Sequence, residues 1–173
     1  MLKQDKEDFI AFASGGREHT AQVVQRLNAR GLGHFEDHPL SAKLVRQHLA
    51  GLVSLWDDNP VPDARDWVLQ FVADAQIADA QVRPMIQAAL ADKDCPFLPT
   101  VLYTMGTAPA LFEDCGDLLL ALASHPDHEV RWRVAYFISR VRNRSEPMVR
   151  AIQLLKLDRY DTTQVYVRAC GVS

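Results

Sequence analysis

The chain has 173 residues, with 19 Lys+Arg against 22 Asp+Glu and a formal net charge of −3. With 48% hydrophobic and 24% charged residues and a mean hydropathy near zero, global disorder is excluded, and the length suits one domain with its own apolar core. No run of about 18 apolar residues exists to span a membrane. The charged start MLKQDKEDF lacks the apolar h-region of a secretory signal, and Cys95, Cys115 and Cys170 are too scattered for a disulfide framework. Reduced thiols and a cytoplasmic location are therefore expected. The mildly acidic balance argues, as an average, against a dedicated nucleic-acid binder.

The pattern along the chain predicts helix almost throughout. A short amphipathic segment around Asp5–Ala13 stops at Ser14-Gly15-Gly16. A second runs from about Glu18 to Ala29, with Val23, Val24 and Leu27 on one face and Gly31 as its C-terminal cap. Gly31 to Pro39 reads as a loop. From Ser41 a long helix carries Leu44, Val45, Leu49, Leu52, Val53 and Trp56 at helical spacing, until Asn59-Pro60-Val61-Pro62 breaks it. Further helices are predicted near 64–75, 80–91, 96–105, 109–124, 129–142, 146–157 and 163–170, with Pro96 and Pro109 at helix starts. No strict alternation appears, so the chain is expected to be all-α.

A repeat underlies this pattern. One constant offset carries Pro60, Arg65, Val68, Phe71 and Val72 onto Pro126, Arg131, Val134, Phe137 and Ile138. Half of that offset lands on Val101 and Met105, and one more such step beyond Val134 reaches Val167 with a blurred register. Each unit reads as helix, polar turn, helix. A lone helical hairpin leaves its apolar stripe exposed, whereas stacked neighbours share one core.

The segment from Leu118 through Pro126, Asp127, Val130, Arg131, Val134 and Ala135 resembles a HEAT repeat: leucines in the first helix, a Pro/Asp turn, then Val-Arg and Val-Ala in the second. The match at Pro60–Val72 is weaker, and the middle unit departs from it, with Leu98 and Pro99 where Val-Arg and its successor should stand. The resemblance covers roughly Leu44 to the C-terminus. It implies a right-handed α-α superhelix of HEAT-like hairpins, one domain over 1–173, with cap helices in 1–40 and repeats in 41–173.

Catalytic chemistry finds little support. His34-x-x-x-His38 has metal-ligand spacing but falls in a loop, and two His at i and i+4 need a helix to share one face. No metal site and no cofactor are expected, and the cysteines form no C-x-x-C. His125 and His128 are read as turn-packing or capping residues. For Arg131 and Arg65 a structural role outranks a ligand role. In a HEAT unit such an arginine pairs with a turn acid of its own or a neighbouring repeat, and Asp127 is a natural i,i+4 partner of Arg131.

Binding is better supported. At 100° per residue Val68, Phe71, Val72 and Ala75 form the buried side of their helix, leaving Asp66, Trp67, Gln70 and Asp74 outside. Carried forward by the repeat, the outer side becomes Pro99, Thr100, Tyr103 and Thr107, then Trp132, Arg133, Tyr136 and Arg140. Trp67, Gln70, Tyr103, Trp132, Arg133, Tyr136 and Arg140 are thus the expected partner-binding residues, because aromatic and arginine side chains are favoured interface anchors. The competing expectation is that a further helix or a second copy covers them.

The expected function is therefore a non-enzymatic protein-binding scaffold or adaptor, one form of which is a bacterial immunity-type protein that blocks a toxin. The alternative is a DNA-binding protein or glycosylase resembling the HEAT-like DNA-alkylation-repair enzymes. That resemblance would place Trp132, Arg133, Tyr136 and Arg140 in a DNA groove, with Asp66 or Asp74 as the acid. It ranks lower, since the preceding repeats are acidic where a phosphate track needs cations. A structural homo-oligomer ranks third. Charge is unevenly spread: Met1 to Pro126 carries 10 basic and 17 acidic residues, and Asp127 to Ser173 carries 9 and 5.

Overall fold

The computed structural model of the protein describes residues 3–15, 17–31, 40–58, 61 and 63–171. Among them all regular structure is helical. In chain order the helices are α1 (Lys3–Ser14), α2 (Arg17–Arg30), α3 (Ala42–Gln47), α4 (Leu49–Asp58), α5 (Ala64–Asp74), α6 (Arg83–Ala91), α7 (Leu98–Met105), α8 (Gly116–Leu122), α9 (His128–Arg140), α10 (Glu146–Leu155) and α11 (Asp161–Ala169). A 3-10 turn covers Pro109–Phe112. No helix of the described residues is long and apolar enough to cross a membrane. They fall into two compact units, Met1–Ile77 and Ala78–Ser173.

Local chemistry sets the helix ends. The Ser41 hydroxyl accepts the Leu44 N–H at 3.3 Å to start α3, and the Asp127 carboxylate accepts the Glu129 N–H at 2.9 Å to start α9. Gly31, at φ 79°, closes α2, as its sequence position predicts. Pro84, Pro99 and Pro147 sit in the first turns of α6, α7 and α10, where a missing N–H costs nothing. Pro96 therefore precedes its helix rather than starting it.

Two expected helices are interrupted. The long helix from Ser41 breaks at His48, whose ring packs edge-on against Phe9 at 5.7 Å. The expected 109–124 helix separates into the 3-10 turn and α8. The break ends at Gly116, where a Cβ would lie 2.4 Å from Ser145 Oγ. Glycine both permits that approach and weakens helix propagation.

In the first unit α1 packs on α2 and α4, while α5 packs on α4 and α2. Phe71 is the hub of its core, with ring centroids 5.1 Å from Phe9, 5.7 Å from Phe12 and 5.7 Å from Trp67. A buried ionic network ties α1 to α2. The carboxylates of Asp5 and Asp8 are almost inaccessible; Arg30 meets both, and Arg26 Nε lies 3.1 Å from Asp8. Gly51 on α4 lets the backbone of α1 come close.

The second unit consists of three consecutive helical hairpins, α6/α7, α8/α9 and α10/α11. The first helices pack in the order α6, α8, α10, and the second helices in the order α7, α9, α11. Val101, Val134 and Val167, evenly spaced in sequence, are all buried, on α7, α9 and α11. The blurred register at Val167 is thus a buried position of the same kind. Leu119, Leu122, Met148 and Ile152 supply the apolar side of the first helices.

A Cβ at position 51 would stand 2.0 Å from the Ala13 carbonyl oxygen, a backbone atom that cannot rotate away. Gly51→Ala is expected to lower stability by about 1–3 kcal/mol, read as an earlier midpoint in urea unfolding. An unchanged midpoint would contradict the packing of α1 on α4.

Candidate partner-binding face

The 13-residue α9 is the centre of the second unit. Val130, Val134, Phe137 and Ile138 turn inward, so the helical period sends Trp132, Arg133, Tyr136 and Arg140 to the other side. On α7 the same logic buries Val101, Leu102 and Met105 and leaves Tyr103 37% exposed. On α11 it buries Thr163 and Val167 and leaves Val165 exposed and Tyr166 half-buried.

These side chains form one continuous array. Tyr103 stacks on Tyr136 (5.6 Å, 17°) and Trp132 stacks on Tyr166 (5.7 Å, 16°). Tyr136 joins the two stacks edge-on, 6.4 Å from Trp132 and 5.4 Å from Tyr166. The Arg133 guanidinium lies 4.5 Å from the Trp132 ring and 5.3 Å from that of Tyr103, and Arg140 lies 5.5 Å from Tyr136. Each partly desolvated cation–ring contact contributes on the order of 0.5–2 kcal/mol. The Trp132 indole N–H donates to Glu129 at 2.8 Å, and the same Glu129 oxygen is 3.8 Å from Arg133 Nε.

The array depends on how closely α7 and α9 approach. At Gly106, just past α7, a Cβ would lie 2.5 Å from Tyr136 Cε1. Glycine there lets the Tyr136 ring rest on the helix end, while Arg140 Nε donates to the Gly106 carbonyl at 2.7 Å. Arg144 works the other way, donating to the carbonyls of Ile138 at 3.1 Å and Cys170 at 2.6 Å. Guanidiniums thus satisfy carbonyls at the C-terminal ends of α7, α9 and α11, where a positive charge is also favoured by the helix dipole.

The opposite ends of these helices are fixed by turn contacts. Arg131 donates to the carbonyls of His125 and Pro126 at 2.7 and 2.8 Å and to the Asp158 carboxylate at 2.7 Å. The i,i+4 expectation for Arg131 is corrected: Asp127 spends its carboxylate capping α9, and the arginine pairs with an acid of the following turn. On α11, Gln164 donates to the carbonyls of Leu155, Lys156 and Asp158. His125 accepts the Asp127 N–H at 3.1 Å on Nδ1, so its Nε2–H faces the Lys93 carbonyl at 2.9 Å. Burial by itself would raise the Asp158 carboxyl, but the Arg131 and Tyr160 N–H hydrogen bonds hold it below its ordinary value.

Five of the seven residues expected from sequence, Tyr103, Trp132, Arg133, Tyr136 and Arg140, meet in this array. Trp67 and Gln70 do not. They are 1% and 2% exposed, because α2 packs on the side of α5 that the single-helix pattern leaves open. The Trp67 indole N–H donates to Asn28 of α2 at 2.7 Å. The expectation that a further helix covers such residues holds for this pair. Tyr166 is the member that sequence reasoning missed; carrying the spacing used for Trp132 and Arg133 one step further would have reached it. Arg65 donates to the Trp56 carbonyl at 2.9 Å, consistent with a structural role.

No protein-family model, curated protein or solved structure matches the chain. His34 and His38 lie outside the described residues. Within these, no three His, Cys, Asp or Glu side chains are grouped to hold a metal ion. A concavity of about 430 Å³ opens at the turn edge rather than on the aromatic face, with Arg131, Asp158, Leu157 and Tyr160 in its wall. Arg131 and Asp158 pair with each other in its wall, and Leu157 is 86% exposed at its rim.

Two outcomes test these environments. Because the Asp158 value is lower in the folded than in the unfolded chain, its contribution is complete above about pH 3.9 and is lost as pH falls through the folded-state value. Asp158→Asn is therefore expected to cost about 1–3 kcal/mol at pH 7 and progressively less in urea melts toward pH 3; a cost independent of pH would refute the ion pair. Burial raises the thiols of Cys115 and Cys170, whereas Cys95 is partly accessible. A thiol reagent at pH 8 should label Cys95 well before the other two, and equal rates would contradict their burial.

Proposed function

We propose that this chain is a HEAT-like helical repeat protein acting as a non-enzymatic scaffold, holding a protein partner on the face of α7, α9 and α11. One observation carries the proposal: the array of four aromatic rings and two guanidiniums built across three helices. Groups of these types desolvate large areas while losing few rotors on binding. A ladder already stacked in the free protein also lowers the ordering cost of association. The in-order packing of second helices, the regular recurrence of buried valines and the carbonyl-capping position shared by Arg131 and Gln164 support the repeat reading. On that reading, the hairpins stack as a superhelix and the aromatic face is its ligand side.

DNA binding ranks below this. Arg133 and Arg140 are the cations of the aromatic array, Arg133 is matched by Glu129, and a phosphate track needs several in a row.

Site-specific photocrosslinking in the source cells provides the test. A photoreactive residue replacing Tyr103 is expected to capture a defined protein. The same residue replacing the exposed Arg150 on α10 should not. Capture from both positions alike, or from neither, would overturn the assignment of this face.

A further inference from the structure

We propose that the partner segment seated on this face is acidic, with carboxylates held by the guanidiniums of Arg133 and Arg140; this rests on the protein-binding reading above. Tyr103 lies flat on Tyr136 and Trp132 flat on Tyr166, so each of these rings has one face covered by the other. The ring edges, which are the positive part of an aromatic quadrupole, favour an anionic ligand. A guanidinium stacked over a ring keeps its N–H donors in its own plane, free to meet a carboxylate bidentately. Arg133 lies between Trp132 and Tyr103, and Arg140 lies over Tyr136.

Charge points the same way. Glu129 is the one carboxylate of α9 on this side, and it is engaged by the Trp132 indole and Arg133. Arg140 uses Nε on the neutral Gly106 carbonyl and has no carboxylate partner among the described residues, and Arg142 follows it, exposed. On α7 and α9, among the described residues, Glu129 is thus the one acid on this side, and Arg140 is left without a carboxylate partner. Arg133 and Arg140 are two helical turns apart, about 10.5 Å along the axis. Three residues of an extended or polyproline-type segment span a similar length, about 9–10 Å. A single-stranded nucleic acid fits less well, because it binds by stacking bases on open aromatic faces, and each of these rings has one face already taken.

The test is a titration of the full chain, labelled with ¹⁵N, by three probes: a short peptide with Glu at every third position, its Lys counterpart and a single-stranded oligonucleotide of equal charge. The Glu peptide is expected to shift the Trp132 indole N–H, the Arg133 Nε–H and backbone amides of α9 and α11, with affinity falling severalfold from low to physiological salt. Arg133→Gln with Arg140→Gln should weaken it about tenfold. Arg133→Lys with Arg140→Lys should recover part of that, and the amide dispersion of each free variant verifies folding. No shifts on this face, equal response to the Lys peptide, or tighter binding of the oligonucleotide would overturn the proposal. If crosslinking from position 103 captures a partner while the Glu peptide fails, the protein-binding reading stands and only the acidic assignment falls.

Discussion

Everything on the candidate face depends on carbonyl oxygens that helices leave unpaired at their ends. A short helix has few internal hydrogen bonds, so unsatisfied terminal groups are a large fraction of its backbone. In the second unit long polar side chains complete them: Arg140 and Arg144 at the C-terminal ends of the second helices, Arg131 and Gln164 in the turns before them. A hydrogen bond from a charged donor contributes about 1.5–3 kcal/mol, against about 0–1 for an exposed ion pair. The carbonyl contacts thus outrank the surface pairs in setting how α7, α9 and α11 lie side by side. Only with that placement do Tyr103, Tyr136, Trp132 and Tyr166 come into stacking distance.

The two units solve the burial problem differently. In the second, each hairpin buries its stripe against the next hairpin, and the outer side of the second helices stays accessible. In the first, α2 lies across α5 and seals Trp67 and Gln70, with Asn28 linking the Trp67 indole to the Asp63 carboxylate. The same outward pattern in sequence therefore yields an interior on α5 and a surface on α9.

That contrast explains what was legible in the sequence. The helical period fixes angles around one helix, so the all-α class, the evenly spaced buried valines, the Gly31 stop and the Asp127 start follow from residue type and spacing. The period does not say which sides a second neighbour covers, so nothing near Trp67 distinguished it from Trp132. Short-range rules also misdirected Arg131 to Asp127, because an N-terminal cap and an i,i+4 pair compete for one carboxylate, and the cap won. Tyr166 was visible in principle, since it immediately precedes Val167, which the repeat had already reached. The buried Asp5, Asp8, Arg26 and Arg30 network gave no local signal, since its members pair across 18 to 25 residues.

The aromatic and guanidinium groups form one preassembled array in the free protein, and nuclear Overhauser measurements on the unliganded chain test this most directly. Cross-peaks between the rings of Tyr103 and Tyr136 and between those of Trp132 and Tyr166 are expected, with the Arg133 side-chain protons shifted upfield by the rings they cover. Random-coil shifts for Arg133 and no contacts between these rings would contradict the account.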